Sequence, residues 1–263
     1  MVKQILRSIV NKFNYDITKL NYGSEKFKRS SDLEGANFYE TPTGKYYLPA
    51  HLKKDIVANN IKNGNYFEPE VIDIAKSYIK KGTAVLDVGA NYGQMSVVFS
   101  SLVGDGKVYS FEAEPTVYKL LVKTLEANGC NNVKAIPGAV YYKSGEKIVF
   151  PEPDFKRFDS IGSYGLDINA KEGRTVETLT IDSLQIKEPI SFMKVDIQGS
   201  DLFALQGARE TILKNKMPIL FEFEQQFQEE FQTSFDDYID FARSVNYRFK
   251  EVIDVNYLIV PKD

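Results

Sequence analysis

The chain has 263 residues, 43% of them hydrophobic and 26% charged, with a net charge of −3 and a pI of about 5.5. That is the composition of a globule with a sizeable core, and the absence of a basic excess argues against double-stranded nucleic acid as a partner. Cys130 is the single cysteine, which excludes an intramolecular disulfide and a thiolate metal cluster and points to a reducing, cytoplasmic setting.

The chain opens MVKQILRSIVNKF. Val2, Ile5, Leu6, Ile9, Val10 and Phe13 share a helical face, but Lys3, Arg7 and Lys12 interrupt the apolar run. The segment therefore reads as an amphipathic helix, packed on the body or a second subunit or resting on a membrane surface, not as a signal peptide or a span. Residues 14–35 read as a loop, 37–49 as a hairpin around Thr-Pro-Thr-Gly, 51–61 as a helix and 68–80 as another, with Gly82 as its C′ glycine. Residues 1–62 are accordingly expected to form an extension, and 63–263 the main domain.

That domain is organised around TAVLDVGANYGQM, residues 83–95. A short apolar run, a glycine turn and a helical pattern make a buried strand, a turn and a helix. Gly89 and Gly93 permit backbone angles and close ligand approach that a Cβ forbids. Their spacing is not G-x-G-x-x-G, which argues against a dinucleotide pyrophosphate cradle. Lys107–Glu112 reads as a second strand, Pro115 to Gly129 brackets a helix, and 132–136 makes a third strand. Strands alternating with such helices imply a parallel sheet. Tyr141 to Phe150 looks like a hairpin around Ser144-Gly145, and polar residues 151–173 like an insertion over the site. Strands at 190–197 and 218–224 follow, then a helix at 235–245 and an antiparallel pair near 247–252 and 257–260.

Ligands in open α/β sheets bind beyond the carboxyl ends of the strands. The polar residues expected there are Asp87, Glu112, Asp196, Glu222 and Glu224. Glu112 follows Gly89 at the distance of a ribose-binding acid. Asp196 shares a strand face with Phe192 and Lys194 and reads as base, orienter or metal ligand, or else as a cap of the next helix. Glu222 and Glu224 share a face, so one pKa should rise or a cation be recruited. The alternatives are a magnesium or manganese site from Asp196, Glu222 and Glu224, or an acid paired with Lys or Arg. His51, the single histidine, is a candidate general base or a surface residue. Tyr92, Phe155 and Tyr164 are candidates to wall an acceptor pocket, or else core.

VLDVGANYG, FEAEP, NGCNNV, IDSL, FMKVDIQGSDLFALQGA and PILFEFE together resemble the FkbM-type methyltransferases, a branch of the class I S-adenosylmethionine-dependent enzymes, over residues 63–225. The resemblance implies a Rossmann-like α/β fold with a seven-stranded sheet of order 3-2-1-4-5-7-6, one strand antiparallel. It implies S-adenosylmethionine at the Gly89 turn, yielding S-adenosylhomocysteine, with Asp87, Gly89, Asn91 and Gly93 near the amino-acid part. Glu112 would then hold the ribose, and Ala139 would border the adenine. Glu68, Ala90, Ser96, Ala113, Gly138 and Asp196 complete the expected cofactor set, with Asp196 and His51 as catalytic candidates. Such families mostly methylate hydroxyls, so a sugar of a cell-surface polysaccharide is the expected acceptor, a divalent metal and a homodimer being open options. Two positions depart from the family pattern: Gln198, where many relatives carry Glu, and the acid Glu114. The rival readings are a nicotinamide-dependent sugar-nucleotide oxidoreductase and a non-catalytic cofactor-binding partner.

Overall fold

The computed structural model describes residues 36–50, 54–150 and 173–263. The N-terminal helix, His51, Phe155, Tyr164 and the insertion at 151–172 lie outside the described residues. The hairpin forms from β1 (Ala36–Thr41) and β2 (Gly44–Pro49), paired antiparallel with Thr41 opposite Gly44. Helix α1 (Ile56–Lys62) starts where Asp55 caps it, Oδ1 accepting the Ala58 N–H at 2.7 Å. Helix α2 (Pro69–Tyr78) has proline at its first position and buries Val71, Ile72, Ile74 and Ala75. It ends before Ile79, so Gly82 lies in the following turn and is not the expected C′ residue.

The core alternates β3 (Ala84–Val88), α3 (Gln94–Val103), β4 (Lys107–Glu112), α4 (Pro115–Ala127) and β5 (Val133–Pro137). After a small three-stranded sheet come β9 (Ile190–Val195), helices α5 (Asp201–Gln206) and α6 (Arg209–Asn215), and β10 (Ile219–Glu222). Helices α7 (Gln225–Phe231) and α8 (Phe235–Ser244) lead to β11 (Tyr247–Ile253) and β12 (Asn256–Pro261). The seven large-sheet strands run β11-β12-β10-β9-β3-β4-β5. In chain order that is 3-2-1-4-5-7-6, with β12 antiparallel to both neighbours.

Strand alternation sends side chains to two apolar layers. Val85, Val108, Phe192, Leu220 and Leu258 pack with α2 and α3, while Leu86, Phe111, Met193, Ile219 and Phe221 pack with α5, α6 and α8. The run from Leu202 to Ile212 buries Leu202, Leu205, Ala208 and Ile212, as its spacing predicts, but in two short helices broken at Gly207.

The small sheet overturns one expectation. Residues 141–150 do not pair with each other. Instead β7 (Lys147–Phe150) pairs antiparallel with β8 (Arg174–Leu179), and β6 (Ala139–Val140) lies parallel on the other side of β8. The turn at 143–146 is held by β8, the Gly145 N–H donating to the Thr178 carbonyl and the Glu146 N–H to its hydroxyl. A non-local partner has won over the local one.

Tyr92 is core, not pocket wall. It is fully buried among Tyr46, Leu48, Ala58, Ile61, Val117 and Leu120, and its hydroxyl donates to Asp55 Oδ2 at 2.9 Å. The ring and this bond fasten the hairpin and α1 to the helix after β4. Tyr92→Phe should lower stability by about 1–2 kcal/mol in urea denaturation, because it removes a buried hydrogen bond to a carboxylate.

Candidate active site

The carboxyl ends of β3, β4, β9 and β10 bring two groups of acids to one edge. The first group surrounds the turn after β3. Asp87, fully buried, is held from behind by Ser96, whose hydroxyl donates to Oδ2 at 2.5 Å and lies 2.8 Å from the Ser110 hydroxyl. Ser96 is itself fully buried and positions Asp87 from behind. Burial raises the Asp87 pKa, opposed by Lys194 and Ser96.

Glu112, at the end of β4, takes the Asn91 N–H on Oε2 at 2.9 Å and the Glu114 N–H on Oε1 at 2.8 Å. Each oxygen is aimed by one main-chain donor and keeps a lone pair for another. Burial lifts its pKa to about 7. Asp87 Oδ1 and Asn91 Oδ1 are buried acceptors without a partner among the described residues. Acceptors left open in this way suit an ammonium donor.

The glycines take the backbone angles expected of them, and each also makes room for a neighbouring element. Gly89 has φ +83°, and a Cβ there would stand 1.8 Å from the Asp196 carbonyl oxygen. Gly93 has φ +91°, and its Cβ would stand 2.8 Å from Leu121 Cδ1 on α4. Both make room for the protein's own packing, and Gly89 lets the ends of β3 and β9 close together. Of the remaining expected cofactor residues, Ala90 is buried against Leu121 and Leu125, while Ala113 and Ala139 border the cluster of Tyr141, Val176 and Phe231. Gly138 precedes Ala139 and is partly buried.

The second group is built on Lys194. Its Nζ lies 2.8 Å from Asp196 Oδ2, with a side chain only 4% exposed. Burial alone would lower its pKa, but Asp196, Asp87 and Glu68 raise it above the ordinary lysine value. Burial would likewise raise Asp196, yet Lys194 and the hydrogen bonds with Lys194, Glu222 and Gln198 hold it below the usual aspartate value. Gln198 Nε2 donates to Glu222 Oε2 at 3.0 Å and to Asp196 Oδ1 at 3.3 Å.

Burial, then the Asp196 charge, pushes Glu222 well above the ordinary range, and the same causes in the same order bring Glu68 and Glu224 to about 7. Glu68 precedes α2 in a left-handed conformation and accepts the Asn256 amide at 2.9 Å. Gln94 places this segment by accepting the Phe67 N–H and donating to the Asn65 carbonyl. Asp201, also raised to about 7 by burial and then by Asp196, has Oδ1 unpartnered among the described residues.

Asp196 therefore pairs with a lysine and does not join Glu222 and Glu224 as metal ligands. Among the described residues no group of three His, Cys, Asp or Glu side chains is arranged to hold a metal ion. The lowered Asp196 pKa makes it a weaker proton acceptor and favours the orienting role among those expected of it. Lys194, Asp201 and Asn256 were missed in the sequence. Lys194 was visible there as the same-face neighbour of Asp196, while Asn256 looked like a turn residue.

The FkbM methyltransferase domain matches residues 87–249, well over half of the chain. The chain belongs to the FkbM methyltransferase family. The family is one of S-adenosylmethionine-dependent methyltransferases. A Saccharolobus solfataricus protein named "Probable cobalt-precorrin-6B C(15)-methyltransferase (decarboxylating)" is 32% identical over 143 residues, which cover 49% of this chain and 71% of that one. A Sulfolobus acidocaldarius protein of the same name is 36% identical over 72 residues, 27% of this chain and 38% of that one. The crystal structure of an FkbM methyltransferase from Methylobacillus flagellatus KT aligns with TM-score 0.47 and 14% identity, covering 72% of this chain. This chain spans half the length of that one. Among the described residues no helix is long and apolar enough to cross a membrane.

The raised carboxyls give the fold a pH signature. Glu68, Glu112, Glu224 and Asp201 hold protons up to about pH 7 when folded, whereas the unfolded chain releases them near about pH 4. Between those limits the folded state binds more protons, so stability falls as pH rises and levels off above about 7. Thermal melts of cofactor-free protein should show this decline, and Glu112→Gln should make it shallower.

Proposed function

We propose that this FkbM-family chain transfers a methyl group from S-adenosylmethionine to a hydroxyl of a sugar or sugar-derived acceptor, of the kind found in cell-surface polysaccharides. The observation that carries the hydroxyl reading is the set of raised carboxyls beside Asp196, because a hydroxyl must lose a proton to be methylated and a base works best with its pKa near the working pH.

The residues present fit the cofactor. Asp87 and Asn91 offer open acceptors for its ammonium, Glu112 offers both oxygens to the ribose hydroxyls, and Lys194 is outnumbered by carboxylates, which suits a sulfonium. Bound there, S-adenosylmethionine supplies an electrophilic methyl group, the electron pair of the broken bond staying on sulfur. The chain's part is placement and proton removal. Glu112 and the 89–93 turn fix the nucleoside, and Glu68 with Asp87 takes the amino-acid end. Asp196, held ionised by Lys194, orients the acceptor hydroxyl. Glu224, partly exposed and near neutral in pKa, takes its proton. Holding the acceptor oxygen within about 3 Å of the methyl supplies much of the rate.

The relatives' printed names support a second reading, methylation at carbon of a cobalt-precorrin-like tetrapyrrole. Labelled methyl donor offered with sugar and tetrapyrrole acceptors separates the two. Methylation of the tetrapyrrole alone would overturn the hydroxyl reading. With the sugar acceptor, Glu224→Gln should lower kcat about 100-fold or more and remove the acid limb of the pH profile. Asp196→Asn should reduce kcat while sparing cofactor affinity. Calorimetry should find S-adenosylhomocysteine binding weaker as pH falls from about 8 to about 6, since Glu112 is protonated across that range and a neutral carboxyl accepts one hydroxyl less readily than an anion accepts two.

A further inference from the structure

Glu114 is the acid at which this chain departs from its family pattern. Its side chain is only 3% exposed and sits just before α4. One oxygen, Oε2, accepts the N–H groups of Thr116 and Val117, each at 2.6 Å. The other, Oε1, is paired with the Arg174 guanidinium, whose Nη1 also donates to the Thr116 hydroxyl at 2.9 Å. Arg174 comes from another part of the chain, the first residue of β8. The Glu114 main chain meanwhile donates its N–H to Glu112 Oε1 at 2.8 Å. A continuous series of contacts thus runs from Arg174 through the Glu114 carboxylate and its loop to the acid at the end of β4.

Without Arg174, Oε1 of this buried carboxylate keeps only the Thr116 hydroxyl, at 3.3 Å, and must draw in water or move. Either shifts the loop that aims Glu112, and a displacement well under 1 Å degrades a two-oxygen contact.

We propose that Arg174, acting through Glu114, is a positioning residue that sets Glu112 for the two ribose hydroxyls of the cofactor. This rests on the reading of Glu112 as the ribose acid. Glu114 is answered here by Arg174, the cation that β8 delivers to it. The pair also ties the strand that follows residues 151–172 to the cofactor edge.

The test is calorimetric and needs no acceptor. S-adenosylhomocysteine and its 2′,3′-dideoxy analogue are each titrated into wild-type protein and into Glu112→Gln, Arg174→Ala, Arg174→Lys and Glu114→Gln, with thermal melts confirming folding. Arg174→Ala and Glu114→Gln should weaken S-adenosylhomocysteine about tenfold and the analogue about twofold or less. Arg174→Lys, which keeps the charge, should recover part of the loss. A merely structural role would weaken both ligands alike and overturn the inference. If Glu112→Gln itself fails to distinguish the two ligands, the reading of Glu112 falls, and the inference with it. If Glu112→Gln distinguishes them and neither Arg174→Ala nor Glu114→Gln does, the inference alone falls. Should Arg174→Ala not fold, Glu114→Gln decides by the same comparison.

Discussion

A single buried ammonium governs how the front of the sheet can be charged. Lys194 lies at the end of β9 with Asp196, Asp87 and Glu68 around it. Desolvating several carboxylates together is prohibitive unless a cation offsets them or some are protonated. The site uses both remedies. Asp196, hydrogen-bonded to Lys194, stays ionised, while Glu222, Glu224 and Glu68 are pushed toward the neutral form by burial and by that fixed charge. One strong ion pair thereby favours the anion at Asp196 and raises the acids around it, Glu68 and Glu224 to about 7 and Glu222 further.

Backbone geometry places these charges where they are useful. Gly89 lets the first turn close against the Asp196 carbonyl, so the cofactor turn and the end of β9 are parts of one surface. Side chains beneath that surface are tied by hydrogen bonds: Ser96 behind Asp87, Gln94 beneath the segment that carries Glu68, and Gln198 between Asp196 and Glu222. Gln198 has φ +51°, a conformation uncommon outside glycine, asparagine and aspartate. Its two amide hydrogens join acids that a third carboxylate would have driven apart.

The sheet was largely legible because its signals are local. Lys107–Glu112 has the predicted bounds, Pro115 starts its helix, and the apolar residues from Leu202 to Ile212 are buried at helical spacing. The full strand order came through family resemblance, since periodicity does not say which strand lies beside which. The errors share that origin. Residues 141–150 have the look of a hairpin, but their pairing partner is β8, across the segment 151–172. Val176 and Thr178 are buried on one face of β8, an alternation that could have revealed the strand. Ser96, at its spacing from Phe99 and Val103, stands on the buried face of α3 behind Asp87. The acids at the strand ends were found. Their division of labour was not, because it depends on how closely Lys194 approaches each of them.

The pairing of β7 with β8 sets Phe150 directly opposite Arg174. Arg174 thus stands in a strand pair and in the contact with Glu114 at once. The end of β4 is therefore braced by the small sheet as well as by the large one.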